Sequence, residues 1–354
     1  MKITHLECWL IEMPLLEPYN IAYGTIDHCV NIVTKISTNA GITGWGCASP
    51  DFKVTGETSQ SVLHDFQQTI EPWLKGVNPF RTALIDRELQ QFLPKSPTAR
   101  CMADMAIYDI LAKKAEVPLY LFLGGFRESI PTSITIGILP VEQTLEKARE
   151  FLKKGFFILK IKGGTNVDED IEKMIKLREL VGPSIDLRFD ANQGYSVEQS
   201  VHFIKETMDV GIELFEQPTI SSAAEQLGEV TSKVPIPVMA DESLLSLKDV
   251  FHLTSNNWTD LINIKLMKTG GISEALHINS VAKAAGVKAM VGCMDESALS
   301  IAAGLHFALS RSNVQYADLD GHLDLLNDPF AGTVVLKDGV LWPGEGYGLG
   351  FDEK

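Results

Sequence analysis

From Ile130 onward the chain alternates short apolar runs with longer segments in which apolar residues return every three or four positions. The runs are PTSITIGI, FILKIKG, DLRFDAN, IELFEQP, PVMADE, LINIKL, KAMVGCM and VQYADLDG. Runs that are apolar on both faces suit parallel strands covered on both sides, and the segments between them have the helical period of crossover connections. The first of these helices is expected from Val141 to Lys154. Eight strands in this alternation predict an α/β fold, a closed (β/α)8-type barrel. No helical segment follows the last strand. Instead TVVLKDGVLWPGEGYGLG reads as strands and turns that return to the N-terminal part, so the barrel is of the modified (β/α)7β form.

The first 125 residues have a different rhythm. KITHLECWLIEMPL, VNIVTKIST and ITGWGCAS are β-like runs, with a turn at Asn39-Ala40-Gly41 between the second and third. Helical spacing follows at about 57–74, 80–92 and 97–115. In the last of these, Met102, Ala106, Ile107, Ile110 and Leu111 form one apolar stripe. Strands followed by helices describe an α+β domain. The division is therefore an α+β domain at 1–125, completed by 330–354, and a barrel at 126–329.

Composition removes several classes of function. A net charge of −15 sets the surface against nucleic acid and anionic membranes. No apolar run approaches the roughly 18 residues of a membrane span. In MKITHLECWLIEMP the apolar stretch is broken by His5, Glu7 and Glu12, so it reads as a strand and not as a signal peptide. The five cysteines (Cys8, Cys29, Cys47, Cys101, Cys293) are odd in number, scattered and never in a CxxC pair, which suits reduced thiols in a cytoplasm.

The chemistry lies at the ends of the apolar runs. Lys162, Asp190, Glu216, Asp241 and Lys265 follow one another at intervals of 28, 26, 25 and 24 residues. A period near 25 with one functional group per step is what a barrel produces when each strand tip carries one residue into a shared site. A lone acid at a strand end is often a helix cap. Asp190, Glu216 and Asp241 in register on consecutive units instead describe a hard-cation site, for which oxygen donors on rigid neighbouring elements suit Mg²⁺. Asn192, Gln217 and Glu242 follow closely, where they can orient carboxylates or bound water. Lys160 and Lys162 share strand parity, so both point into the barrel, where the carboxylates supply the counter-charge. A lysine crowded by a second cation and a metal is expected to have a lowered pKa suited to a general base. Lys265 stands three units further round, and Lys268 is expected in the loop beyond it. The histidines miss the strand-tip register except His322, just past the last tip. Cys293 sits at a tip without a histidine to activate it as a nucleophile.

The order KxK, Asp, Glu, Asp, Lys on the second to sixth barrel strands resembles the enolase superfamily, muconate-lactonizing subgroup, over nearly the whole chain. The resemblance implies a capping role for the α+β domain and one Mg²⁺ per subunit on Asp190, Glu216 and Asp241. It makes Lys162 and Lys265 bases on opposite faces of the substrate, with Lys160 neutralising the developing enolate. The histidine that the mandelate-racemase kind carries at the seventh strand is not matched.

Asp318 and Asp320 in ADLDG share parity on the eighth strand, either as a turn-forming pair or as two carboxylates able to hold an ammonium group. That DxD pattern, with GCMDES and NIKLMKTGG, is similar to dipeptide epimerases, in which it binds the substrate's N-terminal amine. The resemblance implies a dipeptide as the partner and a homo-oligomeric assembly. It also implies a pocket shaped by Thr135, by loops near residues 20 and 50 (Tyr19, Tyr23, Asp51) and by the seventh-strand tip (Cys293, Met294, Asp295). The first loop, PYNIAYGT, has no Lys or Arg for an acidic substrate, whereas Asp51 and Asp295 either are solvated or cap a helix, or face the site and favour Lys or Arg side chains. The alternatives are an o-succinylbenzoate synthase or N-acylamino acid racemase, whose substrates lack the ammonium, and a non-catalytic ligand-binding barrel.

Overall fold

The computed structural model describes residues 1–21 and 24–353, the side chains of 18–26 excepted. Strands β1 (Ile3–Ile21), β2 (Gly24–Thr38) and β3 (Thr43–Ala48) form an antiparallel sheet in that order. The segment expected as a loop near residue 20 is the end of a long β1–β2 hairpin, with Tyr19 opposite Ile26 and Asn20 opposite Thr25. Its turn-like letters are overridden by pairing that continues past a register shift between Pro14 and Tyr19. Helix α1 (Ser59–Asp65) passes through a π turn (Phe66–Ile70) into α2 (Glu71–Leu74), followed by α3 (Thr82–Phe92) and α4 (Pro97–Lys114).

The apolar stripe expected on α4 is present, but it is one face of two. Met102, Ala106, Ile107, Ile110 and Leu111 pack into the core under the sheet. On the other side Cys101, Met105, Tyr108 and Ala112 join the core of the barrel. A helix buried all round belongs between two layers. β3 meets it backbone to backbone, because a Cβ at Gly46 would stand 1.9 Å from the Met102 carbonyl oxygen.

After α5 (Leu119–Phe122) and the short β4 (Ile130–Pro131) the barrel begins. Its strands are β5 (Ile134–Ile136), β6 (Ile158–Lys162), β7 (Asp186–Asp190), β8 (Ile212–Glu216), β9 (Val238–Ala240), β10 (Leu261–Ile264), β11 (Lys288–Gly292) and β12 (Val314–Asp318). They lie parallel in chain order. The first seven are each followed by helix: α6 (Val141–Lys153), α7 (Val167–Val181), α8 (Val197–Glu206), α9 (Ala224–Lys233), α10 (Leu247–Ser255), the pair α11 (Leu266–Thr269) and α12 (Ile272–Ala284), and α13 (Ala298–Ser310). The Ser133 N–H donates to the Ala317 carbonyl at 3.1 Å across the β5–β12 seam, which closes the ring. After β12 come β13 (Val334–Lys337) and β14 (Val340–Pro343), a hairpin that pairs with β4. The final residues reach the first domain, where Phe351 meets Trp45 edge-on at 5.0 Å and the Leu349 N–H donates to Asp109 at 2.8 Å. All five cysteines are free. Among the described residues no helix is long and apolar enough to cross a membrane.

Candidate active site

The strand tips bring their charged residues to one rim. Parallel pairing sets Lys162 level with Asp190 and Asp190 level with Glu216, so the lysine and the first two acids stand side by side. Lys160, one layer deeper and buried, sends its ammonium to three carboxylates: Asp318 at 2.8 Å, Glu216 at 2.9 Å and Asp190 at 3.1 Å. Burial opposes its charge, but these neighbours outweigh it and hold its pKa well above the usual lysine value. Among the described residues no hydrogen bond or ion pair engages the Lys162 ammonium.

On the other side Lys265 lies 2.9 Å from Asp241. Its pKa is raised, since Asp241 outweighs burial. Among the protein's own groups Lys160 and Lys265 are thus raised and not lowered, because each has a carboxylate closer than a competing cation. Lys268 departs from expectation too. It occupies the single turn of α11, is buried, and reaches both the carboxylate and the carbonyl of Asp241. Its pKa is lowered by burial first and by Lys265 second. Asp241 is held far below the ordinary carboxylate range despite its burial, by Lys265, Lys268 and Lys160.

Glu216 shows the opposite effect. Burial first, then Asp190, Asp241 and Asp318, push its carboxyl up to about 8 against the pull of Lys160. Its Oε1 accepts the Asn263 side-chain N–H at 2.8 Å, while Oε2 is enclosed without a well-aligned donor. Glu242 Oε2 is likewise enclosed without a partner, and burial with the charges of Asp241 and Asp190 lifts that carboxyl to about 7. Among the described residues no three acidic, histidine or cysteine side chains already converge as a cage. The donor set nevertheless fits a hard divalent cation. Its oxygens come from three adjacent strands, Glu216 Oε2 is enclosed with no hydrogen bond and only the Lys160 ammonium beside it among the described residues, and burial together with their mutual charge lifts Glu216 and Glu242. Asn192 steadies Asp190, donating its backbone N–H at 2.9 Å and its side-chain N–H at 3.3 Å. Gln217 accepts the N–H of Asp241 at 2.8 Å, tying the second tip to the third.

The two aspartates of the last strand have separate surroundings. Asp318 is committed: it accepts from Ser133 Oγ at 2.6 Å and pairs with Lys160. Despite burial its pKa is lowered, chiefly by Lys160. Asp320 Oδ2 accepts the Thr135 N–H at 2.7 Å, and among the described residues Oδ1 has only the Cys293 thiol at 3.9 Å. Burial and the charge of Asp318 push the Asp320 carboxyl up to about 6. The Cys293 thiol also faces the Asp318 carbonyl at 3.3 Å, and burial raises its pKa well above the ordinary value. Met294 donates its N–H to Glu296 at 2.8 Å. Asp295 is exposed, and its carbonyl accepts from Ser49 at 2.6 Å. Asp51 is exposed, with its carboxylate on the Lys53 N–H at 2.8 Å as a local turn cap. Tyr23 lies outside the described residues, as does the side chain of Tyr19.

Sequence reasoning missed Asn263, Ser133 and the position of Lys268. Asn263 shares parity with Lys265 in LINIKL, and Ser133 with Thr135 in PTSITIGI, so the rule that paired Lys160 with Lys162 would have found both. No histidine among the described residues makes a hydrogen bond or ion pair to these lysines or carboxylates.

Comparison with known proteins places this geometry in context. Residues 143–354 match the enolase C-terminal domain-like family, and residues 7–124 match the N-terminal domain of mandelate racemase / muconate lactonizing enzyme. An L-Lys-D/L-Arg epimerase of Desulforapulum autotrophicum is 41% identical over 99% of both chains. A hydrophobic dipeptide epimerase of Enterococcus faecalis is 39% identical, again over 99% of both. The crystal structure of a dipeptide epimerase from Methylococcus capsulatus, complexed with Mg and the dipeptide L-Arg-D-Lys, superposes with a TM-score of 0.93 at 38% identity and covers 99% of each chain.

Proposed function

The chain belongs to the mandelate racemase / muconate lactonizing enzyme family of the enolase superfamily, and from that membership we propose that it is a Mg²⁺-dependent dipeptide epimerase inverting the α-carbon of the C-terminal residue. Asp190, Glu216 and Asp241 would hold the ion, as three hard carboxylate donors on adjacent strand tips, one with an oxygen that makes no hydrogen bond, suggest. When bound there, Mg²⁺ supplies electrostatic stabilisation for the charge that accumulates on the substrate carboxylate.

The remaining chemistry belongs to the lysines. Lys160, kept charged by its three carboxylates, adds a fixed positive field on that developing enolate. The Lys162 amine, which no described residue engages, takes the α-proton: the Cα–H bond breaks and an Nζ–H bond forms. Lys265, kept protonated beside Asp241, returns a proton to the opposite face, and the configuration inverts. In the reverse direction the two exchange roles.

The observation that carries the dipeptide assignment is the weakly engaged Asp320 Oδ1, held by a thiol alone among the described residues, beside a committed Asp318. A half-buried carboxylate with one weakly engaged oxygen, just past the last strand tip, has a natural partner in an α-ammonium and none in an N-acyl group. Among dipeptides, the likeness to an L-Lys-D/L-Arg epimerase favours cationic side chains; Asp51, which caps its own turn, and the exposed Asp295 are the acids that would meet them. A dipeptide library incubated with enzyme and Mg²⁺ in D₂O, read by mass, tests this. A gain of one deuterium in the C-terminal residue is expected, with higher kcat/KM for Lys- or Arg-containing dipeptides than for Ala-Ala or Ala-Glu. A clear advantage for apolar dipeptides would overturn the side-chain preference.

A further inference from the structure

The turn that follows β10 carries two lysines of the site, Lys265 at its start and Lys268 within α11. It ends at Gly270-Gly271, where α12 begins. Helix N-termini need acceptors for their first N–H groups, and a side chain at the N-cap usually supplies one. Here the N-cap is Gly271, which has no side chain to offer. The acceptor comes from the other domain. Asp104 of α4 takes the Ile272 N–H at 2.6 Å and the Ser273 N–H at 3.1 Å on one oxygen, and the Ser273 hydroxyl at 2.7 Å on the other.

The glycines are what permit this approach. A Cβ on Gly271, whose φ is 121°, would stand 2.5 Å from the Asp104 carboxylate, and one on Gly270 would stand 2.7 Å from the Arg100 guanidinium. The TGG of the sequence is thus the seat on which α4 rests. Between β10 and Gly271 lie only the six residues 265–270, four of them forming α11. Their N–H groups are tied back within the turn, Lys268 to the Lys265 carbonyl at 3.0 Å and Gly271 to that of Leu266 at 3.1 Å. A segment this short, bonded internally and anchored at both ends, cannot relax at one anchor without moving the lysines.

We infer that Asp104 is a positioning residue for Lys265, acting from the capping domain through the α12 N-terminus. This rests on the two-lysine reading above. In that reading each lysine serves one epimer, so loss of the anchor should affect one face of the substrate only. A displacement near 1 Å at a reacting group costs on the order of a hundredfold. For Asp104→Ala, α-proton exchange in D₂O should fall roughly ten- to a hundredfold for the epimer that Lys265→Ala silences, the other epimer should keep its rate within about threefold, and Asp104→Asn, which keeps an acceptor for the two N–H groups, should lose less. Equal loss for both epimers, or loss for neither, overturns the inference.

Amide hydrogen exchange supplies an arm that needs no substrate. In Asp104→Ala, peptides covering 266–275 should exchange faster while those of β6 and β7 do not. Unchanged protection at 266–275 would overturn the anchor itself. Wild-type protein that exchanges no dipeptide α-proton would defeat the epimerase reading, and amide exchange would still decide whether Asp104 holds the turn.

Discussion

Replacing Asp320 by Asn tests the amine site with almost no change of shape. Asn retains an oxygen for the Thr135 N–H, now 2.7 Å from Asp320 Oδ2, so the seam between β5 and β12 keeps its contact. The loss is the negative charge offered by Oδ1, whose one hydrogen-bond partner among the described residues is the Cys293 thiol at 3.9 Å. Breaking a buried charge pair costs about 3–5 kcal/mol, and a hydrogen bond to a charged group is worth about 1.5–3 kcal/mol. Asp318 remains charged nearby but is already committed to Lys160 and Ser133, so it compensates little. A loss of about 2–3 kcal/mol follows, or roughly 30- to 160-fold in kcat/KM at about 1.36 kcal/mol per tenfold. N-acetylated or N-succinylated amino acids have no ammonium and should change by less than about threefold. The wild-type profile adds a second handle. The free-enzyme Asp320 carboxyl lies at about 6 and binds the ammonium only when ionised, so kcat/KM for dipeptides should fall as pH drops through that value. This acid limb should be absent in the variant. Asp318→Asn should instead impair both substrate kinds, since it removes a partner of Lys160. Equal losses on dipeptides and N-acyl substrates for Asp320→Asn would refute the amine-site argument.

Lys162→Ala and Lys265→Ala should each abolish epimerisation while leaving the fold intact, and each should retain α-proton exchange on one epimer only; near-wild-type turnover by either would exclude the two-base route. Exhaustive chelation should remove activity and Mg²⁺ should restore it, whereas full activity with metal analysis confirming absence would remove the cation from the mechanism. Gly46→Ala drives a Cβ to within 1.9 Å of the Met102 carbonyl oxygen and should lower stability by about 3 kcal/mol in urea unfolding. Gly137→Ala, with open space around the new carbon, serves as the control.

The barrel and its rim were legible because a strand covered on both faces leaves few positions for a charge. A lysine or acid at the end of each apolar run therefore marks both the strand and its tip. Parity assigned Asp318 and Asp320 to the interior, but parity gives the face and not the depth. Their different surroundings depend on Lys160 and Ser133, residues far away in sequence. Lys268 escaped because spacing from Lys265 cannot show that the next turn folds inward over a Gly-Gly seat set by another domain. The hairpin at residue 20 was read as a loop for a similar reason: Pro18, Asn20 and Gly24 look like turn residues locally, and the pairing that makes them strand is non-local. On α4 the periodicity revealed the stronger face, while alanine and cysteine on the other side gave too weak a contrast to announce a second contact.

That second contact has a consequence for how the protein melts. Fourteen of the eighteen residues of α4 are buried, shared between the sheet's core and the barrel's. Neither half can open without stripping one side of this helix. The chain should therefore denature in a single cooperative step instead of shedding its N-terminal domain first. Expressed alone, the first 125 residues would present Cys101, Met105, Tyr108 and Ala112 as a bare apolar strip, the kind of surface that draws copies of a chain together into aggregates.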